Sequence, residues 1–455
     1  MFKDKEFIRS FLRIALPIAL QNLFVSSLGI IDTIMVGQLG ESAIASVGLA
    51  NQIFFLLNFF LFGINSGAAI YTAQYWGARD IPGIRKVLGV CLMLGLSAWG
   101  LFSIVALGFP TQAVRFYSAD PEVIKLGGEY LRIVGFSYLA TTLTLCYTSV
   151  LRSTGVIRLP VIVGIATLCL NTGLNYLLIF GNFGLPRLGI QGAAIATSIA
   201  RVVECAALLT YTYLSRSPAA ASPGEMLAFK PRFIRLYFNV TLPVLINEIL
   251  WSLGTSFYSA IYAHVGTEAV AAYNVAITIL NLATVIFTGI STACGILVGN
   301  AIGAGQLERA YQHARRSLGI GGILAVLIGV IVFLTRNLSL SVYNLTPSGM
   351  QAARDVLGVL SFAVLYRAFN PTIIVGILRS GGDTRFSGVL DVAAVWLVAL
   401  PLAYLGAFVF ELPIAGVVAC ALTEGLFKMV IGLQRVASKK WIHNLVLVEG
   451  ESMLE

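Results

Sequence analysis

The chain has 455 residues, of which 58% are hydrophobic and only 11% charged, against about a quarter charged in an ordinary soluble domain. So few charges cannot cover a water-facing surface, and the net charge of +9 is scattered between apolar runs rather than gathered into a patch for nucleic acid. Composition therefore excludes a soluble globular protein and indicates a polytopic membrane protein.

In chain order, apolar runs long enough to cross about 30 Å of hydrocarbon as helix lie near 14–37, 46–74, 87–109, 127–150, 159–181 and 189–213. Six more lie near 235–262, 269–298, 317–335, 355–378, 387–408 and 412–434. None alternates with period two, and lipid admits only helices or closed barrels, so the expected class is all-α with twelve spans. The opening MFKDKEFIRSFLR leads straight into a full span without the short apolar region and cleavage site of a signal peptide, so the first helix is expected to stay. Most Lys and Arg fall at the two termini or in the even-numbered connections, such as Arg79, Arg85, Lys86 and Arg309. The positive-inside rule then places both termini in the cytoplasm. The six cysteines occur singly inside apolar segments, which suggests packing residues rather than a disulfide framework or a metal site.

Sliding the chain by about 226 positions aligns LPIALQNLFVSSLGIIDTIMVGQLG with LPVLINEILWSLGTSFYSAIYAHVG without a gap. Gly40 meets Gly266, Gly63 meets Gly289, and Gly77 of QYWGARD meets Gly303 of NAIGAGQ; LRSTGVIR later meets LRSGGDTR. The chain reads as a duplication: an N-lobe over 1–214, a cytoplasmic linker over 215–232, a C-lobe over 233–436 and a cytoplasmic tail over 437–455. An even number of spans per half gives both halves the same orientation, as two pseudo-symmetric six-helix bundles. Two bundles that rock against each other can open a cleft to each side in turn, the arrangement of a transporter rather than a receptor or a channel.

Asp32 is the main asymmetry between the halves, because its counterpart is Tyr258. It lies about 27 Å along the first helix at 1.5 Å per residue, inside an apolar run. A charge facing lipid there costs about 2.5–3.5 kcal/mol, so the side chain is expected to face the bundle interior or a wet cavity, where desolvation favours proton uptake. Asn171 and Asn175 stand one turn apart on the fifth span and share a face. With Thr197 on the sixth they can build a polar network around Asp32 or serve as interhelical glue; the spacing fits both. Pro17 removes a backbone hydrogen bond from the helix that carries Asp32 and makes it a candidate hinge, repeated at Pro243.

The second half holds its own ionisable groups. Glu248 is expected to pair with Arg367 across helices, Glu424 with Lys428 at i, i+4, and Arg201 with Glu204 at i, i+3. Asn370 and Tyr258 are further candidates, and Asp383 and Asp391 are expected to be cap or gate residues at the start of the eleventh span. His264, His313 and His443 are scattered, and neither a Walker-type glycine loop nor a nucleophile elbow occurs. No enzyme activity, metal or cofactor is expected, and without a nucleotide site transport must draw on an ion gradient.

Taken together, DTIMVGQLG with Asp32, QYWGARD with its GAGQ counterpart, LRSTG with LRSGGDT, LNTGLNYLLIF and GIQGAAIAT resemble the multidrug and toxic compound extrusion (MATE) family of the MOP superfamily. The resemblance covers roughly residues 8–435. It implies two six-helix lobes facing each other in a V in a bacterial inner membrane, exporting amphipathic or cationic organic compounds in exchange for protons or sodium ions. By similarity, Asp32 matches the helix-1 acid that takes the coupling ion, and Asn171, Asn175 and Thr197 match members of its network. Some relatives of the DinF-like branch carry aspartate in place of Asn175. In the NorM-like branch Glu248 matches a helix-7 acid, but Asn370 stands where that branch has a second acid. The resemblance therefore favours the DinF-like branch and proton coupling through Asp32, in a monomer. Sodium coupling, or a flippase for lipid-linked precursors, is the alternative; a flippase would need more cations in its cleft than Arg201 and Arg367.

Overall fold

Helix accounts for nearly all of residues 4–343 and 345–446, which the computed structural model describes; 447–455 of the expected tail lie outside them. Among the described residues no strand forms, and extended pairing is confined to an isolated bridge between Gly382 and Ile442. Eleven helices there are long and apolar enough to cross a membrane, and a helix pair bent by 49° supplies a twelfth span.

Spans 1 to 6 are Lys5–Gly37, Glu41–Gly77, Ile81–Gly108, the bent pair Pro121–Gly135 and Ser137–Ser153, Arg158–Phe180 and Ile190–Leu214. Spans 7 to 12 are Pro231–Val265, then Thr267–Thr284 running on through Ile286–Gly303, Leu307–Leu340, Pro347–Arg379, Thr384–Phe408 and Ile414–Ala437. Several begin earlier than the hydropathy suggests. Span 1 starts at Lys5 rather than near residue 14, because Asp4 accepts the Phe7 amide N–H at 3.1 Å and caps a polar first turn outside the apolar stretch. Asp80 and Asp120 cap spans 3 and 4 with proline in the first turn. Wider π turns occur at Ile104–Gly108, Thr372–Arg379 and Ala394–Ala399; the second follows Pro371, which has no N–H to give the ladder.

The chain divides into two compact units. Among the described residues, the first holds 20–76 and 80–241, and the second holds those up to Ala19, 77–79 and those from Leu242 onward. The core of the first includes Leu57, Leu61, Leu131 and Tyr138; that of the second includes Cys294, Ile302, Ile373 and Trp441. Large apolar side chains such as Leu16, Ile162 and Leu334 stay exposed, as acyl chains require of a span's outer face. In the first unit, the short helix Pro223–Met226 of the 215–232 segment carries a Ser222–Glu225 capping box and lies on span 3, where the Met226 carbonyl occupies the space a Cβ at Gly89 would need. In the second, the chain returns after span 12 to bury Trp441 against Gly381, with its indole N–H donating to the Val436 carbonyl at 3.1 Å.

Candidate functional site

A cavity of about 490 Å³ lies inside the first unit, and Asp32, Asn51, Tyr130, Asn171, Asn175 and Arg201 are among its lining residues. Its position follows from close helix packing. Gly192 of GIQGAAIAT lets span 6 approach span 5 until a Cβ there would stand 2.5 Å from the Leu178 carbonyl, and Ala193, Ala194 and Ala196 are buried beside it. Small residues at such a contact draw the polar faces of two helices together.

Asp32 is half-buried. Asn175, 3% exposed, donates from Nδ2 to Asp32 Oδ1 at 3.0 Å, and Asn171 donates from Nδ2 to Thr197 Oγ1 at 3.4 Å. The i, i+4 spacing on span 5 thus serves two neighbours, one on span 1 and one on span 6. The other end of the Asn175 carboxamide, Oδ1, is buried without a hydrogen-bond partner among the described residues. Arg201 lines the same cavity but spends its charge on Glu204, at 2.8 Å, the i, i+3 pair expected from the sequence.

Chemically this is an acid, amides and a hydroxyl around a volume large enough for several waters, a set able to carry a proton or to ligate a hard cation through oxygen. Asn51 and Tyr130 are lining residues that sequence reasoning did not single out. Asn51 offered a signal, an amide in an apolar helix; Tyr130 offered none, because its span is rich in ordinary aromatics.

Helix 1 continues unbroken through Pro17, which leaves the Arg13 carbonyl without its intrahelical donor. Four residues on, Gln21 is tied within the first unit, its Oε1 accepting from Arg152 Nη2 at 2.6 Å. The chain passes between units just after Ala19 and again just before Leu242, so Pro17 and Pro243 both lie within three residues of a crossing point.

The second unit corrects two expectations. Glu248 does not pair with Arg367: its Oε1 accepts from Arg379 Nη2 at 3.0 Å, while Arg367 donates from Nη1 to Asn281 Oδ1 at 2.9 Å. Arg379, in LRSGG, is the last residue of the π turn of span 10 and is buried, 2% exposed. Asp391 is not a cap. It lies two turns inside span 11, 9% exposed, and its Oδ1 is 2.5 Å from Lys428 Nζ. The expected Glu424–Lys428 contact is present but longer, at 3.6 Å. Asp383 does stand at the start of the span 11 helix, yet its side chain caps nothing and accepts from Arg435 Nε at 2.8 Å. Tyr258 donates to Glu424 Oε2 at 3.0 Å, and Asn370 donates to the Gly425 carbonyl at 3.0 Å.

With this geometry in place, comparison with known proteins is informative. A family model described as MatE matches 17–177 and 243–405, one stretch in each half of the duplication. A protein of Thermotoga maritima named probable multidrug resistance protein NorM is 25% identical over 97% of this chain and 95% of its own length. Bacillus subtilis YoeA, named a probable multidrug resistance protein, is 26% identical over 90% and 89%. A solved structure described as the outward-facing conformation of a multidrug resistance MATE family transporter superposes with a TM-score of 0.84 at 20% identity, covering 97% of this chain and 99% of that one, which shows a shared fold. These relatives are transporters and not enzymes. With matched segments spanning well over half its length, the chain belongs to the MatE family, the multidrug and toxic compound extrusion family of multi-pass membrane transporters.

Proposed function

We propose that this protein is a secondary active exporter of amphipathic or cationic organic compounds, driven by proton entry and coupled through Asp32. The observation that carries the reading is the Asp32–Asn175 contact on a cavity inside the first unit. A carboxylate there lines a cavity wide enough for ions and accepts from a neutral amide. Its cavity-lining cation, Arg201, is itself paired with Glu204, so a change of charge on Asp32 strands no buried base. When Asp32 takes a proton, its new O–H needs an acceptor. Rotation of the Asn175 carboxamide by half a turn presents Oδ1, which has no hydrogen-bond partner among the described residues. Proton uptake thus rearranges the network, lowers the affinity for a cation and releases the cargo outside; deprotonation on the cytoplasmic side restores it.

The hinge reading of Pro17 is supported by its place beside the chain crossing at Ala19: a helix lacking one hydrogen bond bends at low cost where it passes from one unit to the other. Arrangement of the basic residues supports cytoplasmic termini in a bacterial inner membrane. A sodium ion is the second reading, favoured by the same Asn175 oxygen, which with the Asp32 carboxylate offers ligands to a hard cation.

The test is Asp32→Asn in proteoliposomes, with separately imposed proton and sodium gradients and a fluorescent organic cation as cargo. Gradient-driven transport is expected to vanish while the protein remains folded; undiminished transport would remove Asp32 from the mechanism. A sodium pulse at fixed pH that drives export in the parent assigns the ion to sodium.

A further inference from the structure

The second unit contains a set of buried charges to which the Asp32 reading gives no task, and they are arranged around one ammonium. Lys428 on span 12 is 4% exposed. Its Nζ lies 2.5 Å from Asp391 Oδ1 on span 11 and 3.6 Å from Glu424 Oε1 one turn earlier on its own helix. The remaining oxygens of both acids are held from span 7, Asp391 Oδ2 by Asn247 Nδ2 at 3.0 Å and Glu424 Oε2 by the Tyr258 hydroxyl at 3.0 Å. Two arginines on span 10 complete the electrostatic surroundings. Arg379 acts on Asp391 while holding Glu248, and Arg367 acts on Glu424 while donating to Asn281.

A buried carboxylate has to be neutralised by a proton, by a bound cation or by a tethered base. Here the geometry is that of a cation site whose cation is covalently attached. Three spans converge on one point, the central group is a compact ammonium, and both acids are oriented by donors from a separate helix. The Asn247 side chain is 1% exposed and its Oδ1 has no hydrogen-bond partner among the described residues. A further acceptor oxygen therefore stands on the carboxamide that touches Asp391, more than the lysine needs and suited to a cation with a larger ligand set.

We propose that Lys428 is the resident counter-cation of the second unit: its ammonium fills, among Asp391, Glu424 and Asn247, the position that a proton or sodium ion would otherwise take. Exchangeable-cation binding is thereby confined to the Asp32 cavity, a second step that rests on the reading of Asp32 as the coupling acid. Replacing the ammonium by an apolar side chain of similar length opens a latent cation site in the second unit, with Asp391 and Glu424 as its charged ligands.

Binding of radioactive sodium at pH 8 and proton uptake between pH 8 and 5 are measured on the purified full-length protein. The variants are Asp32→Asn, Lys428→Met, Lys428→Arg and Asp32→Asn/Lys428→Met, together with Asp32→Asn/Asp391→Asn and Asp32→Asn/Lys428→Met/Asp391→Asn. Lys428→Met is expected to bind one more cation per molecule than the parent, a gain that persists in Asp32→Asn/Lys428→Met, disappears when Asp391→Asn is added, and is absent in Lys428→Arg. No gain in Lys428→Met overturns the proposal. So does sodium binding by Asp32→Asn that Asp391→Asn abolishes while Lys428 is intact, a comparison that holds even if Lys428→Met does not fold. Failure of the Asp32 reading looks different: Asp32→Asn then takes up as many cations as the parent, with the Lys428→Met gain unaffected.

Discussion

Glu248→Gln separates a structural acid from a coupling acid. Arg379 is 2% exposed, its Nη2 donates to Glu248 Oε1 at 3.0 Å, and its Nε and Nη1 meet no acceptor among the described residues. Removing the charge of Glu248 leaves a guanidinium buried with its nearest counter-charge gone, and one-sided removal of a buried pair costs about 3–5 kcal/mol. Asp391 acts on the same guanidinium, so the lower end, about 3 kcal/mol, is expected. For folded units of this size each kcal/mol moves Tm by about 2–4 °C, giving a fall of about 6–12 °C. A thiol-reactive dye reads the transition, because Cys294 is fully buried in the second unit; the assay is run in a Cys169→Ser background to remove the exposed thiol. Glu248→Gln/Arg379→Met is expected to recover most of the loss, and folded Glu248→Gln should keep its proton-driven transport. A fall of less than about 2 °C, or uncoupled transport by folded Glu248→Gln, would refute the reasoning.

Pro17→Ala restores the hydrogen bond to the Arg13 carbonyl and should slow efflux several-fold in vesicles while leaving Asp32-dependent proton uptake by the purified protein intact. Gly89→Ala puts a methyl where the Met226 carbonyl lies, so the 215–232 segment should detach from span 3 and be cut several-fold faster in limited proteolysis. The Glu225 carboxyl is held below its ordinary value by the Ser222 amide N–H, then by the Ser222 hydroxyl, with Arg85 adding to both. A depressed pKa contributes its stabilisation above the unfolded value, about 4.3, and loses it as pH falls through the native one. Hydrogen-exchange protection of the amides at 222–226, taken relative to the intrinsic rate at each pH, should therefore be high at neutral pH and fall as pH drops below the ordinary carboxylate value.

The twelve spans and the duplication were legible because hydropathy and a fixed offset are one-dimensional properties. Asp32 and Asn175 were legible together for a related reason: a lone acid in an apolar helix needs a partner, and two amides one turn apart present a polar face. Partners chosen by three-dimensional packing were not legible. Lys428 has Glu424 at the favourable helical spacing, yet an acid from the neighbouring span comes closer. Arg379 belongs to a motif read only as a repeat of LRSTG, and it lies in a π turn, which leaves no periodic trace over eight residues, so its bond to Glu248 had no signal in the sequence.

One end of the chain waits for the other. The N-terminal part of span 1, up to Ala19, packs in the second unit with residues from Leu242 onward, where the Ala15 carbonyl seats on Gly289 and Asp4 pairs with Arg316. At about 5–20 residues per second on the ribosome, those partners emerge tens of seconds after the segment itself. During biogenesis the front of span 1 must therefore sit in the bilayer as an orphan, shielded by lipid or by the insertion machinery, and the second unit closes only when synthesis is nearly finished.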